Sequence, residues 1–98
     1  MRADRVIKTL KDHEGELRQL GIASLSLFGS VARRQEHAVS DVDIAITLDS
    51  AAHVGAFAFA AIAGRLGSLL EATVDVVGEP ARKPAIQREI DRDRWLVF

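Results

Sequence analysis

The chain has 98 residues, 48% hydrophobic and 28% charged, the balance of a single globular domain with one core and room for one site. Thirteen basic against fourteen acidic side chains leave a formal net charge of −1, so no global field favours nucleic acid or an anionic membrane. Cysteine is absent, which excludes disulfide scaffolds, thiolate zinc sites and cysteine nucleophiles.

The longest uncharged, weakly polar stretch, 54–64, is about half a membrane span. The first residues mix both charges without the apolar core of a secretion signal. A cytoplasmic protein without membrane contact is expected.

From Asp4 to Leu20, Val6, Ile7, Leu10, Leu17 and Leu20 recur at helical spacing, with Gly21 where a C-terminal cap belongs. Ser24 to Phe28 alternates with period two, predicting a strand, and Gly29-Ser30 closes it as a tight turn before a short helix in the polar stretch 31–39. Asp41 to Leu48 alternates again, with Val42, Ile44, Ile46 and Leu48 on one face and Asp41, Asp43, Ala45 and Thr47 on the other.

The Ala-rich segment from His53 to Leu70 predicts a long buried helix, and Thr73 to Val77 a third strand ended by Gly78-Glu79-Pro80. After Pro84, Ile86 and Ile90 mark a short charged helix, and Trp95 to Phe98 a final edge strand or docking tail. The order αβαβαβαβ predicts one α/β (α+β) domain, 1–98, with a small sheet covered by helices. That order alone leaves open whether the sheet is parallel or mixed.

Asp41 and Asp43 lie on one strand face about 7 Å apart at their Cα atoms, and two such carboxylates repel unless neutralised. Alone the pair also fits a turn cap followed by an exposed strand residue. Asp75 adds weight, because an aspartate between Val74 and Val76 has poor strand propensity and is costly to desolvate. Three acids on one face suit a hard cation, Mg2+ or Mn2+. His13, His37 and His53 are scattered without metal-ligand spacing.

Gly29-Ser30, at a strand end before a helix, permits close approach of an anion, with the serine hydroxyl as a further donor. Arg33 and Arg34 sit just beyond, and a guanidinium suits phosphate; Arg33 is the better candidate. The charged cluster from Arg88 to Arg94 reads as a solvated helix face, with a partner contact as its rival. Five aromatics (Phe28, Phe57, Phe59, Trp95 and Phe98) mostly fit core positions, so no base-stacking platform and no direct nucleic-acid binding are expected. P-loop and dinucleotide fingerprints are missing.

The segment GSVARRQEHAVSDVD resembles the signature of the DNA polymerase β-like nucleotidyltransferases: Gly-Ser, ten residues, then Asp-x-Asp. With SLFGSVAR before it and the single later acid in ATVDVV, it is most similar to the smallest branch, the minimal nucleotidyltransferase (MNT) antitoxins that accompany HEPN-domain toxins. The resemblance runs from about Ile22 to Val77.

The resemblance implies a mixed sheet of the polymerase β-like fold. It also implies ATP as substrate, Gly29 and Ser30 holding its triphosphate, Arg33 touching phosphate, and Asp41, Asp43 and Asp75 as catalytic acids and Mg2+ ligands. Asp75 would take the proton of the attacking hydroxyl. The implied acceptor is a hydroxyl, a tyrosine, on a HEPN-type ribonuclease toxin that the chain neutralises by transferring AMP. Arg34 departs from the family, many of whose members have glycine there. Two other readings stand beside this one: an antitoxin that blocks its partner sterically without catalysis, and a nucleotidyltransferase acting on a small molecule.

Overall fold

The computed structural model describes residues 2–34 and 41–98. His37 and the end of the predicted short helix lie outside them. The alternating segments form strands because each has one apolar face to bury. They are β1 (Ile22–Phe28), β2 (Val42–Leu48), β3 (Val74–Gly78) and a two-residue β4 (Trp95–Leu96).

The sheet is mixed, in the order β3-β2-β1-β4, with β2 and β3 parallel and the other two pairings antiparallel. The helices are α1 (Ala3–Asp12), α2 (Glu14–Gln19), α3 (Gly29–Ala32), α4 (Ala56–Leu70) and α5 (Pro84–Asp93). No described helix is long and apolar enough to cross a membrane.

One face of the sheet carries the main core. Leu25 and Leu27 of β1 and Val42, Ile44 and Ile46 of β2 are fully buried against Val6 and Leu10 of α1, Leu17 of α2 and Ile62, Leu66 and Leu70 of α4. The opposite face holds a smaller cluster, Phe28, Ala45 and Ile90, with Val77, Ala81 and Ile86 packed on it. It is covered by α5.

Three expectations need correction. The single helix from Asp4 to Leu20 is two helices, α1 and α2, broken at His13 (φ −109°, ψ 16°). The His13 Nδ1 lies 2.8 Å from the Thr9 carbonyl oxygen, and the break lets Leu17 join the core. Gly21 does end α2, with φ +112°, where a Cβ would stand 2.7 Å from Val54 Cγ2.

The second correction is α4, which begins at Ala56 after a one-turn 3-10 segment and is not buried throughout. Only the stripe Ile62, Leu66 and Leu70 is buried, while Phe57 is 95% exposed. Alanine content signals helix but not burial, because so small a side chain gains little from leaving water.

Third, Asp93 and Arg94 are not a solvated exit from α5. Asp93 is covered by the guanidiniums of Arg33 and Arg92. Arg94 donates to Ser26 Oγ (3.1 Å) and to Glu79 Oε1 (2.8 Å). Ser26 is the buried polar residue of β1, and Arg94 satisfies it.

Candidate active site

The parallel pairing of β2 with β3 sets Asp43 directly beside Asp75, and the antiparallel pairing with β1 sets Phe28 on the other side of Asp43. Asp41 stands two residues ahead of Asp43 at the entry to β2, exposed. The alternation that buries Val42, Ile44 and Ile46 therefore turns the three acids to the opposite face. The register, which a sequence does not display, is what brings residues 32 positions apart to this meeting.

Asp43 is half-buried, and its carboxyl is pushed up to about 6. Loss of hydration is the main cause; the charges of Asp75, Glu89 and Asp41 add to it, and Arg33 opposes them. The Asp43 carboxylate lies where a Cβ on Gly29 would be, and Gly29 itself has φ +74°. Only glycine meets both demands at this turn. Ser30 follows it, half-buried in α3.

The donor set fits a hard divalent cation: hard oxygen ligands only, with a half-buried carboxylate disfavoured by its acidic neighbours and so placed to gain from a positive charge. Among the described residues no three acid or imidazole groups close into a compact cluster. Mutual repulsion of uncompensated carboxylates opposes such closure.

Beyond Ser30, Arg33 Nη1 donates to Asp93 Oδ2 and ties the end of α3 to α5. Arg33 thus borders the acids while anchored away from them. Arg34 has φ +59°, the left-handed region where glycine is at ease. Arg34 is held there by an ion pair with Asp4 (3.0 Å) and by its guanidinium 4.8 Å from the centre of the Trp95 ring. Trp95 and Phe98 are half-buried against the core, with Arg18 over Phe98.

Sequence reasoning missed Glu89. It was part of the charged cluster on α5, yet its charge reaches Asp43. The signal was its place beside Ile90 and three residues after Ile86, on the border of the helix's apolar stripe.

Comparison with known proteins agrees with this fold. The family model described as polymerase beta, nucleotidyltransferase matches residues 5–98. No curated protein sequence matches the chain. Among solved structures, a candidate minimal nucleotidyltransferase superposes with a TM-score of 0.80 at 22% identity, over 97% of this chain and 95% of that one.

A toxin–antitoxin complex with AMP-PNP matches with a TM-score of 0.70 at 22% identity, over 100% of this chain and 73% of the other. A complex of the tri-AMPylated HEPN toxin of Shewanella oneidensis with MNT antitoxin matches with a TM-score of 0.67 at 19% identity, over 94% and 71%. With its family model covering nearly the whole chain and its acids in register on two parallel strands, this protein belongs to the polymerase β nucleotidyltransferase family.

Proposed function

We propose that this chain transfers AMP from ATP to a hydroxyl, a tyrosine, of a HEPN-type ribonuclease toxin and so acts as its antitoxin. The observation that carries the reading is the row formed by Asp43 and Asp75 in register, with Gly29 closed against Asp43. The tri-AMPylated HEPN toxin held by an MNT antitoxin of similar fold supports the choice of acceptor.

In this reading Asp41, Asp43 and Asp75 would hold Mg2+ or Mn2+, which would supply positive charge to offset that of the triphosphate and of the transition state for displacement. Gly29 and Ser30 bind the triphosphate at the turn, and Arg33, fixed by Asp93, adds positive charge beside it. Asp75 orients the attacking hydroxyl and accepts its proton on a carboxylate oxygen. The new bond joins the tyrosine oxygen to the α-phosphorus; the bond to the β-phosphate oxygen breaks, and pyrophosphate leaves.

Intact-mass spectrometry of a co-expressed HEPN partner, incubated with this chain, ATP and Mg2+, tests the proposal. Whole AMP units are expected with wild type and none with Asp41→Asn/Asp43→Asn. No gain in a stable complex would replace transfer by steric neutralisation. Asp75→Asn is expected to slow transfer by roughly 10²–10⁴-fold, the usual worth of a positioned proton acceptor, while ATP binding survives at least in part through Asp41 and Asp43.

A further inference from the structure

Beside the acids on the outer margin of the sheet lies a groove of about 420 Å³ that the reaction as described does not use. Its floor is Val77, Gly78, Ala81 and Ile86, and its rim carries Arg82 and Lys83. Val77 is two residues along β3 from Asp75 and so shares its face about 7 Å away. The groove thus opens two residues along β3 from Asp75.

Two features fit it to an extended acidic segment. First, β3 is the edge strand of the sheet. The Thr73 carbonyl accepts from the Val42 N–H and the Glu79 N–H donates to the Ile46 carbonyl, so parallel pairing turns the main-chain groups of Val74, Val76 and Gly78 outward. Second, Arg82 and Lys83 are exposed, and among the described residues neither enters an ion pair. Most other arginines of the chain are paired.

The turn that leads into the rim is also fixed in advance. Gln87 accepts from the Ala81 N–H (2.8 Å) and donates to Glu79 (2.9 Å), which Arg94 holds from the other side. A preset turn spares a ligand the entropy of ordering that backbone.

We propose that this groove is the acceptor-docking site: the protein substrate lies extended along the edge of β3, an apolar side chain on the groove floor and acidic residues against Arg82 and Lys83, which presents its hydroxyl to Asp75. This rests on the transfer reading above for the identity of the occupant. The residues that line the groove include two cations and no acid, so an acidic occupant is drawn to the Arg82 and Lys83 end.

The probe is a synthetic peptide with a central tyrosine, a leucine two residues to each side and paired aspartates at both ends; its control has lysines for the aspartates. In an NMR titration of the full chain, the aspartate peptide is expected to shift amides from Val76 to Ile86 and to bind at least tenfold tighter than the control. Arg82→Glu/Lys83→Glu is expected to reverse that preference. No binding at millimolar peptide, shifts elsewhere, or a preference unchanged in the variant would overturn the proposal.

Transfer from ATP with Mg2+ is followed on the same peptides. Docking in the groove without transfer would sink the enzymatic reading and leave the groove, whereas transfer with a KM indifferent to the variant would sink the groove and leave the enzyme.

Discussion

The two faces of the sheet are built from alternate residues of the same strands, and they differ in what they bury. On one, Leu25, Leu27, Val42, Ile44 and Ile46 are fully buried in a cluster that reaches α1, α2 and α4. On the other, the row Phe28, Asp43 and Asp75 adjoins the row Ser26, Ala45 and Val77. The second face gives up branched aliphatics for acids and small residues. Stability is thus concentrated on one side, which leaves the other free to keep like charges together at a cost the core offsets.

If that division holds, substitutions on the two sides must fail differently. Leu66→Ala removes a fully buried side chain from the core and is expected to cost about 2–5 kcal/mol in chemical denaturation. ATP binding by the fraction still folded should be unchanged. Gly29→Ala strikes the other face: its Cβ meets the Asp43 carboxylate, and alanine resists φ +74°. A cost of about 1–3 kcal/mol is expected, together with loss of ATP binding in the folded protein. Equal retention of binding in both variants would erase the division.

That division was legible in β2 because Asp41 to Leu48 alternates without a break, and the acid in β3 stood out among β-branched neighbours. The last strand was legible only as one of two alternatives, an edge strand or a docking tail, from a short apolar run after a charged helix; Trp95–Leu96 takes the edge. The break at His13 was not, since Val6, Leu10 and Leu17 keep helical spacing on either side of it. Nor was the exposure of Phe57, because periodicity names a buried stripe and says little about residues beside it. The approach of Glu89 to Asp43 depends on where α5 crosses the sheet, a tertiary relation that no local pattern encodes.

Arg34 tests the margin between the two faces. Its left-handed backbone costs an arginine about 1 kcal/mol or more relative to glycine. The exposed pair with Asp4 and the stacking on Trp95 return about 1–2 kcal/mol together. Arg34→Gly is therefore expected to change stability by less than about 1 kcal/mol, because strain and contacts vanish together. Arg34→Ala keeps the strain and loses the contacts, so it should cost about 1–2 kcal/mol. Equal effects of the two substitutions in thermal unfolding would show that the backbone there is not strained.

The smallest expected effect lies at Asp93, whose carboxyl is held down at about 2 by hydrogen bonds from Arg92 and then Arg33, against partial burial. A carboxyl depressed below its ordinary 3.8 stabilises the fold above that pH, and the contribution is lost as pH falls toward 2. The guanidiniums that cover it are themselves open to water, so screening keeps the contribution at about 0.5 kcal/mol. Asp93→Asn should be less stable than wild type by that amount at pH 6, with the gap closing between pH 4 and pH 2. Because Arg33 would lose the charge of Asp93 beside it, the variant should also bind ATP more weakly at pH 7, where the carboxylate is fully ionised. A gap that persists at pH 2 would assign the stabilisation to packing at the end of α5 in place of charge.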